Sequence, residues 1–287
     1  MTASSDYFQE LHDYAVELIK RGKAYVCFQN AEEMSRCRNE QIDSPWRDTP
    51  VEENLRCFKK MKQGRFAEGE CTLRVKMNMQ HPNPCMRDFV AYRVRYTSHP
   101  HAGDAWCIYP TYDFTHCLVD SLENITHSLC TLEFEIRRES YYQLLKDLDV
   151  YQPYVWEYSR LNISNTVLSK HKIEALINKG LVSGWDDPRL HTIQGLRRRG
   201  YTPTMINKFC AKIGVARTGN ENLTSYKKLE FYCREELNTS APRTFGVLTP
   251  VELEIVNFDA VTERTVEQVI FPPDKSKGVN ALKITPK

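Results

Sequence analysis

No two of the ten cysteines, scattered from Cys27 to Cys233, form a Cys-x-x-Cys pair. That spacing argues against a tetrahedral zinc site and against a secreted disulfide scaffold, and no metal is expected. A reducing, cytoplasmic setting fits better. No apolar run approaches the roughly 20 residues needed to cross a bilayer, so no membrane partner is expected. The opening Met-Thr-Ala-Ser-Ser-Asp lacks the apolar centre of a signal peptide. The Asn-x-Ser/Thr triplets at Asn124, Asn162, Asn222 and Asn238 then read as chance matches. Charge of one sign is also missing: 39 basic against 37 acidic residues leave a net +2, so any contact with RNA has to come from local patches. The helical part of the chain has no repeat period, which excludes a solenoid.

What remains is an ordinary globular composition, 41% hydrophobic and 26% charged, over 287 residues, enough for two domains. Phe8, Leu11, Ala15, Leu18 and Ile19 recur at helical spacing after Ser4 or Ser5 as a cap, with Gly22 placed to end the helix. Ala24 to Phe28 reads as a strand. Asn30 to about Gly103 reads as an inserted α+β unit, a polar helix and two alternating strands (Leu73, Val75, Met77 and Val90, Tyr92, Val94, Tyr96), after which the sheet resumes at Trp106. There a short apolar run ends in a turn at Pro110, and Asp113 can cap a helix carrying Phe114, Cys117, Leu118 and Leu122. Tyr112, Asp113, Thr115 and His116 thus gather at the carboxyl end of a strand, where open α/β sheets bind ligands.

A helix over Glu139 to Leu148 should turn Tyr142, Leu145 and Leu148 to one side, and a strand follows near Tyr154 to Tyr158. Three helices come next: His171 to Asn178, one after Thr202 that buries Ile206, Phe209, Cys210 and Ile213, and Ser225 to Leu237. Beyond Ala241 the pattern turns β-like at Val247, Leu253, Ile255 and Val256, then stops in a short polar tail.

The stretch Tyr112-Asp113-Phe114-Thr115-His116-Cys117, the run His127-Ser128-Leu129-Cys130-Thr131-Leu132-Glu133-Phe134, and Trp156-Glu157-Tyr158-Ser159-Arg160-Leu161-Asn162 followed by Val167-Leu168-Ser169-Lys170-His171 carry a resemblance. The chain resembles the class I glutaminyl-tRNA synthetases of the glutamyl/glutaminyl family, from about Ser5 to Val256. The resemblance implies an α/β fold: a partial Rossmann-like catalytic core (1–28 and 105–168), an α+β acceptor-end-binding insertion (29–104), a helical connector (169–240) and the start of an all-β anticodon-binding barrel (241–287).

It also implies roles. Leu168, Ser169 and Lys170 match the Lys-Met-Ser-Lys-Ser loop in degenerate form, with Lys170 and Ser169 catalytic through the phosphates of ATP. Thr131, Arg160 and Leu161 would border the adenosine. Tyr112 would accept from the amide of glutamine, with His116, Ser128, Cys130 and Phe134 in the pocket wall. Nothing nearby in sequence fixes the tautomer or partner of His116. Glutamyl enzymes of eukaryotic and archaeal type carry an arginine where Cys130 stands, so a neutral cysteine favours glutamine over glutamate.

Val155 departs from the family's glutamine, which could loosen that rejection. Glu135, also a glutamine in many relatives, would need neutralising by Arg137 or Arg138. Arg217, Thr218, Asn220 and Asn222 resemble a tRNA-contacting loop, Arg197-Arg198-Arg199 is a weaker feature, and Trp185 to Arg189 would set a rigid turn.

The implied partners are glutamine and tRNA(Gln), with ATP and Mg2+ as co-reactants, in a monomer open to multi-synthetase association. The family's His-Ile-Gly-His motif does not occur in these residues, so a fragment truncated at both ends is expected. A glutamyl enzyme, a noncatalytic tRNA-binding module and a chain that does not fold stably remain alternatives.

Overall fold

A computed structural model describes residues 1–217, 223–244, 246–252, 254, 256 and 264–284. They fall into two compact units: Met1–Arg160 with Ala216 and Arg217, and Leu161–Val215 with the described residues from Leu223 onward.

The first unit begins with a 3-10 turn, Ser4–Tyr7, that runs into α1 (Phe8–Lys20). The periodic set Phe8, Leu11, Ala15, Leu18 and Ile19 is buried as its spacing predicts. The cap differs from expectation. Because the chain enters through the 3-10 turn, Ala3 and Tyr7 hold the two N-cap positions. Past the helix, Gly22 takes φ +67°, a left-handed conformation that glycine adopts without penalty.

Next come β1 (Ala24–Cys27), two helices in place of one, α2 (Ala31–Glu40) and α3 (Val51–Lys62), and then β2 (Thr72–Val75), β3 (Val90–Val94) and β4 (Ile108–Pro110). The four strands form one antiparallel sheet in the order β1-β2-β3-β4. The sheet therefore does not resume at Trp106. It is continuous, and residues 29–104 share it with both flanks. Pairing Ala24 with Val75 and Val26 with Leu73 hides four apolar side chains that separate sheets would leave at an edge. Tyr96 lies beyond the strand and is half exposed.

From β4 the chain enters α4 (Tyr112–Leu122), β5 (His127–Thr131), a 3-10 turn at Leu132–Arg137, α5 (Arg138–Leu148) and β6 (Tyr154–Tyr158), with β5 and β6 paired in parallel. Thr111, not Asp113, is the N-cap of α4; its hydroxyl is committed to the Val90 carbonyl at 2.6 Å. Asp113 sits in the first turn, where a negative charge suits the helix dipole. On α5 the buried side is Tyr141, Leu144, Leu145 and Leu148, one residue round from the predicted face. Tyr142 is half buried, its hydroxyl spent on the Pro153 carbonyl.

One core joins α1, α3, the sheet, α4 and α5, threaded by edge-to-face rings Phe58–Tyr92–Phe114 at 5.4 Å each. Each fully buried leucine or phenylalanine there contributes about 1.5–3 kcal/mol.

The second unit contains β7 (Asn162–Ile163), α6 (Lys170–Asn178), α7 (Ile193–Arg199), α8 (Pro203–Ile213), β8 (Leu223–Thr224), α9 (Tyr226–Ser240), β9 (Arg264–Val269) and β10 (Val279–Ile284). α8 starts as its sequence suggests, with Thr202 as N-cap and Pro203 at the first position. It buries Met205 and Phe209, whereas Cys210 faces solvent, because only one stripe of the helix meets α9.

Before α7, Asp187 accepts from the Ser183 amide and hydroxyl and from the Arg189 amide and guanidinium, all at 2.8–3.1 Å, which makes the turn at Trp185–Arg189 rigid. Leu253 and Ile255 lie outside the described residues, and Val247 and Val256 are exposed and in no strand. The strands of this end lie instead in the polar tail, as the β9–β10 hairpin. Among the described residues no helix is long and apolar enough to cross a membrane.

Candidate functional site

Three turns of α4 carry the centre of the first unit's site. Tyr112 stands at the first helical position, 49% exposed, with its hydroxyl 3.4 Å from Nδ1 of His116 one turn on. On the far side of the ring, Nε2 of His116 lies 3.3 Å from Oδ2 of Asp120 and 3.3 Å from Oγ of Ser128. The Ser128 hydroxyl donates to the same Asp120 oxygen at 2.6 Å, and Tyr141 donates to it at 3.0 Å.

A carboxylate only accepts, so the imidazole proton belongs on Nε2, and Nδ1 must accept. Among the described residues the hydroxyl of Tyr112 is the group placed to donate to Nδ1. The phenol's hydrogen is thereby turned inward and its lone pairs are left facing the cleft. Burial, and after it the neighbouring Cys130, push the Tyr112 phenol upward, so it stays neutral. Tyr141 is driven higher still, by burial first and then by Asp120.

The structure thus supplies what the sequence lacked for His116: a partner and a tautomer. Asp120 was not among the expected residues. Its signal was the spacing 112, 116, 120 along one helix face.

Phe134, on the 3-10 turn after β5, sets its ring 5.2 Å from that of Tyr112, and the Arg137 guanidinium faces both rings. Cys130 and Phe134 join His116, Tyr141, Val155 and Glu157 around a cavity of about 20 Å³, room for roughly one water. The Cys130 thiol is pushed up, by burial first and then by Glu157, and carries no charge.

Thr131 ends β5, and Arg160, beyond β6, pairs with Glu133 at 2.8 Å. The neutralisation of Glu135 is not as expected: Arg137 pairs with Asp113 and Arg138 with Glu157, and Glu135 is met by Arg217 at 2.6 Å. Arg137, at the end of the 3-10 turn, and Arg138, at the start of α5, are each taken by another carboxylate. Arg217 also lies over the Trp156 ring at 5.0 Å. Thr218, Asn220 and Asn222 lie outside the described residues.

In the second unit, Ser169 is the N-cap of α6 and Lys170 its first residue, 74% exposed at the side chain and 3.6 Å from Glu174. Leu161 and Leu168 are exposed. Arg198 pairs with Asp186, and Arg199 faces the Tyr226 ring.

A further basic site, unexpected from sequence, lies in the first unit. Arg38, Arg74 and Arg87 line a cavity of about 450 Å³ together with Ser35, Asn39 and Asp88. Arg74 is completely buried, and its Nη2 has no hydrogen-bond partner among the described residues. Burial, then Arg74, lowers the pKa of Arg38. Arg38 on α2, Arg74 on β2 and Arg87 ahead of β3 are far apart in sequence and meet through the fold, Arg87 donating to the Arg38 carbonyl at 2.9 Å and Arg74 to that of Asp88 at 3.0 Å. Among the described residues no group of three or more histidine, cysteine or acidic side chains could hold a metal ion.

This helix-and-sheet unit, with its polar cleft at the start of α4, lies within the part of the chain that matches a class I synthetase family. Residues 1–239 match the family described as tRNA synthetases class I (E and Q), catalytic domain, and the chain belongs to that family.

Within it, the chain is 53% identical over 282 residues to the glutamine–tRNA ligase of Lupinus luteus, covering 98% of this chain and 35% of that protein. It is 52% identical over 287 residues to the probable glutamine–tRNA ligase of Dictyostelium discoideum (100% and 35%) and 48% identical over 287 residues to the glutamine–tRNA ligase of Vibrio cholerae serotype O1 (98% and 51%). The chain thus spans about a third to a half of the curated relatives it matches.

Among solved structures, the glutamate tRNA ligase from Elizabethkingia meningosepticum, in complex with its amino acid, aligns with a TM-score of 0.54 at 17% identity over 83% of this chain and 54% of that one, a likeness of fold.

Proposed function

We propose that the protein carrying this chain is a glutamine–tRNA ligase, which activates glutamine with ATP and transfers it to tRNA(Gln) in the cytoplasm. The observation that carries the reading is the chain Tyr112–His116–Asp120. A phenol whose proton is committed inward presents an acceptor to the substrate, and the amide of glutamine has the matching donor. The carboxylate of glutamate has none, and would set lone pairs against lone pairs.

Cys130, Phe134 and Ser128 complete a neutral wall. Thr131, Arg160, Leu161 and Leu168 would border the nucleotide, while Ser169 and Lys170 would stabilise charge developing on its phosphates as the substrate carboxylate attacks the α-phosphate in line. Mg2+ enters with ATP as part of the substrate.

For the tRNA, residues 29–104 would receive the acceptor end. Arg38 and Arg87, which line the cavity beside buried Arg74 and form no ion pair among the described residues, bring positive charge that suits a nucleic-acid backbone. Residues 217–222 would touch the inner corner of the tRNA, 169–240 would connect, and 241–287 would open the anticodon-binding barrel. Monomeric behaviour and multi-synthetase association belong to the same proposal.

The test is tRNA-dependent pyrophosphate exchange and charging by the protein that carries this chain. Glutamine should support both, and Tyr112→Phe should cut kcat/KM for glutamine by about 100-fold or more with an unchanged melting temperature. Exchange with glutamate alone would sink the reading, and tRNA binding without any charging would reduce it to a noncatalytic module.

A further inference from the structure

Two guanidiniums stand beside the pocket, and each is cancelled by a carboxylate of its own. Arg137 pairs with Asp113 on the first turn of α4. Arg138 binds Glu157 in a fork, Nε at 3.0 Å and Nη2 to the second oxygen. Glu157 is only 1% exposed, lies opposite Cys130 in the β5–β6 register and is 3.6 Å from Arg217. Burial opposes its charge, but the hydrogen bond and charge of Arg138 outweigh burial and hold the carboxyl below its ordinary value. Arg137, Arg138, Glu157, Cys130, Val155 and His116 line the same small cavity.

This arrangement matters because of Val155. An apolar side chain at that wall offers nothing to inspect the substrate's terminal group, so the discrimination left to this side of the pocket is electrostatic. An uncompensated guanidinium there would be the natural partner of a γ-carboxylate.

We propose that Glu157, together with Asp113, determines amino-acid specificity by keeping Arg138 and Arg137 from recruiting the carboxylate of glutamate. Both act as positioning residues, through the arginines rather than by touching substrate. The proposal rests on the reading of this cleft as a glutamine pocket and adds the groups that keep it neutral.

The experiment compares charging of tRNA with glutamine and with glutamate, and equilibrium dialysis of each amino acid, using the protein that carries this chain. Glu157→Gln should lower the glutamine-to-glutamate ratio of kcat/KM by about tenfold or more, chiefly through a lower KM for glutamate. Glu157→Asp should retain the ratio, and Glu157→Gln combined with Arg138→Gln should restore it. Asp113→Asn, at a site one-third exposed and so tolerant in folding, should move the ratio the same way.

A purely structural role predicts equal losses for both amino acids and no rescue. That result, or an unchanged ratio in Asp113→Asn, overturns the proposal. Unmodified protein that charges glutamate and not glutamine would overturn the pocket's reading instead, before any variant is made.

Discussion

His12 packs its ring almost flat on Phe58, centroids 5.2 Å apart, with Trp106 on another side. Burial is the first cause of its lowered pKa and the nearby Lys62 the second; Asp13 pulls weakly the other way. An unfolded histidine titrates near 6.5, so below that pH the unfolded chain binds more protons at this position than the folded one. Stability from His12 is therefore present above about 6.5 and is lost as pH falls toward the folded value. Thermal melts between pH 7.5 and 5.5 should show a decline that His12→Gln makes shallower by roughly 2–4 °C. A slope identical in both proteins would show that His12 is not the group responsible.

Single residues were also where sequence was least complete. The places of Tyr112 at the start of α4 and Cys130 in the strand after it were legible because their neighbours in sequence are also their neighbours in the motif. Asp120 was hidden because a carboxylate two turns down a helix looks solvated until β5 brings Ser128 to it. The partner of Glu135 was misread because adjacency along the chain favours Arg137 or Arg138, whereas in space it is Arg217, 82 residues on, that meets it.

Elements were more legible than their pairing. α1 follows from its periodicity though not from its expected cap, α8 from its cap, and α6 and β6 from their local residue pattern. The continuity of the four-stranded sheet was not legible, since each strand's partner is set by distant residues. β9 and β10 were missed because almost none of their side chains is buried, so no alternation marks them.

Where an element is fixed by close backbone approach, a single methyl group should disturb it. Gly195 in α7 is such a place: a Cβ there would stand 2.4 Å from the Leu190 carbonyl and 2.6 Å from that of Asp187. Neither oxygen can retreat, because the Asp187 turn is locked and the Thr192 hydroxyl ties the helix start both to the Gly195 amide and to the Trp185 carbonyl. Gly195→Ala should therefore cost about 1–3 kcal/mol in denaturant titration. An exposed substitution such as Lys172→Ala on α6 should change stability by less than about 0.5 kcal/mol. Equal midpoints for the two variants would mean that the turn yields more easily than its hydrogen bonds imply.

For the molecule as a whole, buried apolar residues are unequally shared. The first unit holds one large core drawn from four helices, α1, α3, α4 and α5, and from all four strands of the antiparallel sheet. The second holds two small clusters, Leu196, Tyr201, Phe209 and Leu229 in one and Ile173, Val182 and Leu190 in the other. The β9–β10 hairpin has backbone pairing but little apolar cover apart from Phe271.

Burial of apolar surface is the main favourable contribution to folding, and regions poor in it open locally at low free energy.

Amide hydrogen exchange on the native protein should rank accordingly. Protection should be highest in α1, α4 and β1–β4, lower in α7–α9 and lowest in β9–β10, with limited proteolysis cutting beyond Arg160 before it cuts within residues 1–160. Hairpin amides as slow as those of β2 and β3 would mean that this end is covered by something other than its own sparse core.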